Sequence, residues 1–282
     1  MKIILGTANF DTNYGVLKNK MKKKDLIEVL DVCKINNINK IDTASGYKNL
    51  SRILNKKKNN WEIFTKIKIS KESYIKEFEK ILKNYSNYQI NLLLHNTLDL
   101  KNKKFKKFIL EIQQRKNIKI GISIYNVKEI FESYRKIKYS FIQAPGNLFD
   151  NRVILNKKVK NFLRKNKIKL FIRSIFLQGI LCLDKNLIIK KLKDLKKPIK
   201  LIQKEFGKEK KIIKKLTLQW ISSNKIVDGY VIGVNNKKQL IENINLVNSF
   251  NENKILHQKL LKLINIFKIS EKVINPTKWS FK

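Results

Sequence analysis

Asp42, Tyr47, Lys66 and His95 are four side chains whose types, taken together, make a proton-transfer set. They stand in the stretches KIDTASGY, FTKI and LLLHN. A tyrosine with a pKa near ~10 is a poor acid at neutral pH. A neighbouring lysine cation stabilises the phenolate, and an aspartate keeps that lysine charged and placed. A histidine beside the phenol can orient and polarise a carbonyl oxygen. Singly, each has a plainer reading. Asp42 could cap the helix that follows it, and Tyr47 could be a packing residue with a solvated hydroxyl. Lys66 is one lysine among many, and His95 could be a hydrogen-bonded core histidine. Their arrangement is informative only if one scaffold brings all four to the same end.

The scaffold can be read from alternation. Apolar residues at i, i+3, i+4 and i+7 mark helical stripes at Leu26, Val29, Leu30 and Cys33, and again at Phe78, Ile81, Leu82 and Tyr85. Two more run through Phe105, Phe108, Ile109 and Ile112, and through Val127, Ile130, Phe131 and Tyr134. Between and beyond them lie eight strand-like runs: KIILGTA, NKIDTA, EIFTKIKI, INLLLHN, IKIGISIY, YSFIQAP, IKLFIRSIF and IVDGYVIGV. Near-continuous apolar strands alternating with helices predict parallel strands covered by helices. Eight such units predict a (β/α)8 TIM barrel, an α/β fold, in a single domain over residues 1–282. An open doubly wound sheet is the alternative, disfavoured because no GxGxxG follows any strand. The segment LCLDKNLIIKKLKDLKKPIKLIQKEFG predicts extra helix beside the barrel mouth after the seventh strand. In a barrel, Asp42, Lys66 and His95 fall at carboxyl ends of strands, where catalysis is housed.

The formal charge is +41, which on its own suggests a polyanion. The composition argues otherwise. Arginine is scarce, the chain has 9 Gly and 3 Pro, and Lys, Asn and Ile abound, as AT-rich codons would dictate. A nucleic-acid reader favours the planar fork of arginine. No specific nucleic-acid partner is therefore expected, although the positive field would attract small anions. No run is long enough to span a membrane, and the N-terminus lacks the marks of a signal peptide. The two cysteines have no CxxC spacing, so a reducing, cytoplasmic setting is expected. HExxH, GxSxG and P-loop motifs are missing, and no carboxylates pair on matching strand ends. No metal is expected.

The four residues and their strand positions resemble the aldo-keto reductase family. The similarity runs from LGTANFDTNYGV through DTASGY, TK, LLHN and GISIYN to FIQAPGNLFD, RSIFLQGIL and VIGVNNKKQLIEN. The resemblance implies a nicotinamide-dependent carbonyl reductase on a TIM barrel. Tyr47 would donate the proton, Lys66 and Asp42 would tune it, and His95 would orient the carbonyl. Ser123 and Gln143 would hold the nicotinamide carboxamide, with Gly6 and Thr7 beneath the cofactor. Gly233, Asn235, Gln239, Glu242 and Asn243 would meet the adenosine end. Arg173 stands where many members stack a tyrosine on the nicotinamide, and Ile124 where many carry Asn. Ser51 replaces a frequent Glu. Gln239 replaces the Arg often set against the 2′-phosphate, with Lys237 or Lys238 as substitutes, so NADPH is expected and NADH possible. The implied substrate is a small aldehyde or ketone, sugar-like or anionic. The alternatives are a cofactor-binding regulatory protein with little turnover and, below it, a polyanion binder. Cys33 and His257 read as structural.

Overall fold

The computed structural model describes residues 2–11, 15, 20–44, 48–56, 60–69, 73–209, 211–248, 254–267 and 269–279. Eight strands close into a parallel barrel in chain order. They are β1 (Ile3–Gly6), β2 (Lys40–Asp42), β3 (Glu62–Ile67), β4 (Gln89–Leu94), β5 (Ile118–Ser123), β6 (Phe141–Pro145), β7 (Lys169–Arg173) and β8 (Gly229–Gly233). Closure is made where β1 pairs with β8, Ile3 opposite Tyr230 and Gly6 opposite Gly233. All eight strands expected from the sequence are present, and the open-sheet alternative is excluded.

The helices are α1 (Ala8–Asp11), α2 (Lys23–Ile35), α3 (Lys48–Lys56), α4 (Tyr74–Tyr85), α5 (Lys103–Ile112), α6 (Val127–Lys136) and α7 (Lys157–Lys165). After β7 come α8 (Lys185–Lys191), α9 (Lys196–Phe206) and α10 (Ile212–Ser223), then α11 (Lys237–Asn248), α12 (Lys254–Ile266) and α13 (Glu271–Ile274). The apolar stripes face inward: Leu26, Val29, Leu30 and Cys33 on α2 are all buried. Several starts are set by side-chain caps. Asn102, Asn126 and Asn156 accept from backbone N–H groups at the heads of α5, α6 and α7. Asn126 with Glu129 forms a reciprocal capping box. The expected extra helix after β7 is α8 and α9, anchored by the buried Ile188, Leu195, Ile199 and Ile202.

What positions the site is the two-residue period of the strands. Ile4, Phe64, Leu93, Phe141 and Phe171 form an apolar cluster of their own inside the barrel, with Val231 against it. The three phenylalanines meet edge to face at 4.9–5.7 Å between ring centres. Two residues further along the same strands, on the same inward parity, come Gly6, Lys66, His95, Gln143, Arg173 and Gly233. Asp42 is level with Gly6, and Ser123 with Gln143. The aromatic plug is thus the floor on which a polar layer stands. Gly121 belongs to this floor: a Cβ there would lie 2.4 Å from the Phe141 ring.

Candidate active site

Lys66 Nζ lies 3.2 and 3.4 Å from the two Asp42 oxygens. Both side chains are mostly enclosed, at 25% and 15% exposure. Gln143 Nε2 donates to Asp42 Oδ2 at 2.6 Å, so one carboxylate draws together residues from β2, β3 and β6. His95 follows the last residue of β4, its backbone N–H bonded to Ile67 O at 2.9 Å, and its ring opens to the mouth. Partial burial lowers its pKa first, and the charges of Lys66, Lys68 and Arg173 lower it further against the opposing pull of Asp99. At neutral pH the imidazole is therefore uncharged, suited to hydrogen-bonding a carbonyl oxygen. Tyr47 lies outside the described residues.

Two cavities meet at this point. One, of about 490 Å³, runs from Asp42, Lys66 and His95 past Gln143 and Arg173 to Gln239 and Asn243. The other, of about 300 Å³, is lined by Thr43, Ala44, Lys68 and Glu77 and shares Ala8, Asp42, Lys66 and His95 with the first. The long cavity is shaped and sized for an extended ligand, and the shorter recess opens beside its inner end. Of the cofactor residues expected from the sequence, Gly6, Ser123, Gln143, Arg173, Gly233, Asn235, Gln239, Glu242 and Asn243 line the long cavity. Thr7 does not. Its N–H and its hydroxyl both donate to Asp42 O at 3.0 Å, tying β1 to β2.

The wall carries unsatisfied acceptors. Gln143 Oε1, Asn9 Oδ1 and Asn243 Oδ1 are buried without a hydrogen-bond partner. A buried orphan acceptor costs about 1–3 kcal/mol, so three along one cavity mark where a ligand's donors belong. A nicotinamide dinucleotide offers such donors in its carboxamide, ribose hydroxyls and adenine amine. A Cβ added at Gly233 would meet nothing within 4 Å, leaving backbone bare to the cavity. These residues fit that cofactor.

Arg173 is held by two contacts. Its guanidinium carbon sits 4.3 Å from the centre of the Tyr125 ring, and Nη2 donates to Ile124 O at 3.1 Å. The two departures from the family pattern, Ile124 and Arg173, are thus in contact with each other. Beyond Arg173 the chain takes left-handed backbone at Ser174, Leu177, Gln178 and Gly179 as it wraps the cavity. At non-glycine residues such backbone costs roughly 1–2 kcal/mol each, strain typical of ligand clamps.

At the far end, Asn9 Nδ2 donates at 2.6 Å to both Val234 O and Asn235 Oδ1. Gln239 Oε1 accepts from Asn235 N at 2.9 Å. Lys237, expected as a substitute for the missing arginine, pairs instead with Glu28 on α2 at 3.3 Å, and Lys238 does not line the cavity. Lys211 and Lys214 do line it, both bonded to Glu242. Burial acts to raise the Glu242 pKa, but the hydrogen bonds from Lys214 and Lys211 outweigh it and hold the carboxyl below its usual range.

Asn9, Tyr125, Ser174, Gln178, Lys211 and Lys214 are polar lining residues for which the sequence analysis gave no role. Among the described residues no His, Cys, Asp and Glu cluster suits a metal. Burial pushes the Cys33 and Cys182 thiols up to about 12, far from nucleophilic. His257 is remote, on α12, stacked on Trp220 and 2.9 Å from Ser223 Oγ.

Comparison with known proteins agrees with this architecture. A thermostable aldo-keto reductase, Tm1743, solved with the inhibitor epalrestat, is similar at 17% identity and TM-score 0.65, covering 93% of this chain and 95% of that one. The glycerol dehydrogenase AKR11B4 from Gluconobacter oxydans is similar at 14% identity and TM-score 0.65, with coverages of 93% and 91%. The holo form of aldo-keto reductase AKR11C1 from Bacillus halodurans gives 16% identity and TM-score 0.73, with coverages of 95% and 94%. No curated protein matches significantly by sequence. At these identities the structures establish the barrel alone. The sequence model of the aldo/keto reductase family matches residues 2–256, nearly the whole barrel, and the chain belongs to that family of nicotinamide-dependent oxidoreductases.

Proposed function

We propose that this chain is a single-domain reductase that uses NADPH to convert a small aldehyde or ketone, sugar-like or anionic, into an alcohol. The observation that carries this reading is the junction of two cavities at Asp42, Lys66 and His95, with the orphan amide oxygen of Gln143 in the wall of the long one. Ser123 and Gln143 would hold the nicotinamide carboxamide, and Arg173, held over Tyr125, would face the ring. Glu242, Asn243, Gln239 and Asn235 would meet the adenosine. When bound, the nicotinamide supplies the hydride. The protein's part is to hold the carbonyl oxygen against neutral His95 and to deliver a proton from Tyr47. Lys66, placed by its ion pair with Asp42, favours the phenolate that remains. Gln143 turns its Nε2 to Asp42 in this structure; its Oε1 is the face left for a ligand donor.

The substrate recess carries Lys68, exposed and without an ion pair among the described residues, which supports acceptance of an anionic carbonyl compound. No helix among the described residues is long and apolar enough to cross a membrane. The proposal includes a cytoplasmic setting and a free small-molecule substrate.

The test is turnover of an aldehyde panel with NADPH, alongside dinucleotide binding by tryptophan quenching. Tyr47→Phe is expected to bind NADPH as the wild type does and to lose at least a hundredfold in kcat, the lower range for a positioned acid. Near-wild-type turnover in that variant removes Tyr47 as proton donor. A regulatory, slow-turnover protein is the second reading, favoured by Arg173 in the ring-stacking place. It predicts single-turnover hydride transfer with no substrate turned over productively.

A further inference from the structure

Lysines among the described residues are mostly solvated, and Lys214 departs furthest from that rule. Lys214 is 4% exposed, the single lysine in the buried set of the described residues. A lysine is almost never buried without a partner, and its partner here is Glu242, 3.0 Å away. Glu242 Oε1 also takes Lys211 at 3.1 Å. Two ammonium groups thus share one carboxylate oxygen in the wall of the long cavity, a surplus of one positive charge. The surplus stands at the start of α10, where the aligned peptide dipoles add further positive character. A cation at that end of a helix is unfavourable unless an anion joins it. Glu242 supplies one negative charge, and Lys215, the next residue along, spends itself on Glu209. Beside the cluster, Asn243 Oδ1 is buried and unpartnered, an acceptor for a ligand donor.

We infer that Lys211 and Lys214 form the anion seat for the 2′-phosphate of NADP(H), and so set the preference for NADPH over NADH. The inference rests on the proposed nicotinamide-cofactor reading and moves the phosphate anchor from α11 to α10. The positions on α11 are otherwise engaged: Gln239 Oε1 by Asn235 N, and Lys237 by Glu28. A ribose 2′-phosphate brings about two negative charges, more than enough to neutralise the single positive charge that the two lysines and Glu242 leave over. A ribose 2′-hydroxyl leaves the surplus in place.

The experiment measures binding by isothermal titration, using NADPH, NADH, 2′,5′-ADP and 5′-AMP as probes, with Lys211→Gln, Lys214→Gln and Lys214→Arg. The wild type should bind NADPH and 2′,5′-ADP at least about tenfold more tightly than NADH and 5′-AMP, the low end for a charge-assisted contact. Each glutamine variant should lose that margin while NADH affinity stays within a factor of two or three, and Lys214→Arg should restore part of it. Raising salt should weaken NADPH more steeply than NADH. Equal losses for both dinucleotides would place the lysines on the diphosphate and overturn the inference while leaving the reductase reading intact; so would unchanged selectivity. If folded wild type binds neither dinucleotide, the cofactor reading fails and this inference with it. Should Lys214→Gln not fold, the half-exposed Lys211 decides the matter.

Discussion

Gly121→Ala tests whether the aromatic plug positions the polar layer above it. The added Cβ would lie 2.4, 2.5 and 2.6 Å from three atoms of the Phe141 ring, well inside any tolerated contact. Phe141 cannot simply swing away, because its ring is braced 5.6 Å from Phe64 and 5.7 Å from Phe171. Inserting a methyl group into a core that cannot yield costs about 1–3 kcal/mol. The upper half of that range is expected, since three rings must move together. Two residues on, Phe141's strand carries Gln143, so the displacement should also weaken dinucleotide binding several-fold. Urea unfolding followed by tryptophan fluorescence reads the first effect and isothermal titration the second. The double variant Gly121→Ala with Phe141→Leu supplies the control. The smaller side chain gives the methyl group room, so the pair should be less destabilised than the sum of the singles by about 1 kcal/mol or more. A Gly121→Ala protein as stable as the wild type, or strict additivity with Phe141→Leu, would refute the reasoning.

Three further outcomes follow from the site. The chain has two histidines, so its imidazole carbon–proton signals can be followed individually by NMR. His95 should titrate below the ordinary histidine range, and Lys66→Met should move it upward by removing an opposing charge, with His257 unmoved. Because the folded-state pKa is lowered, the associated stability is full above the ordinary histidine pKa and is lost as pH falls towards the depressed value. A His95 signal that titrates normally and ignores Lys66→Met would break this account. Gln143→Leu should weaken NADPH and NADH alike, by about five- to tenfold, and leave 2′,5′-ADP untouched, since it removes a contact at the nicotinamide end only; a loss with 2′,5′-ADP would mean global damage. Asp42→Asn leaves the Lys66 ammonium with neutral partners in an enclosed site. It should lower kcat more than it raises KM for an aldehyde, and a change in KM alone would count against Asp42 acting through Lys66.

The barrel and its polar layer were legible because they rest on backbone period and on rare residues. Every strand was visible as a short apolar run, and β4 and β7 show why the site could be read as well. Leu93 and Phe171 face the plug, so His95 and Arg173, two places later, must face the mouth. Histidine and arginine are scarce in this composition and stand out at such positions. Thr7 shows the limit of that reading. Next to a lining glycine it takes the opposite parity, and its hydroxyl serves Asp42 O rather than the cavity.

Lys211 and Lys214 were not legible for a different physical reason. Where lysine is the default solvated residue, identity carries almost no information, and only burial separates a working cation from a decorative one. Burial at Lys214 is a tertiary fact. It arises because α10 packs against α11, bringing Glu242 within 3.0 Å of a residue 28 positions earlier in the chain. Because a linear motif can offer only neighbouring positions, the sequence points to a substitute for the missing arginine on α11 itself, at Lys238 or Lys237. The fold turns that lysine to Glu28 on α2 and offers two others from the adjacent helix. Ile124 and Arg173 make the same point at the other end of the cavity. Each looks like a departure when taken alone, yet the carbonyl of one fixes the guanidinium of the other against Tyr125. Two positions 49 apart in the chain are thus joined by one hydrogen bond in the cavity wall.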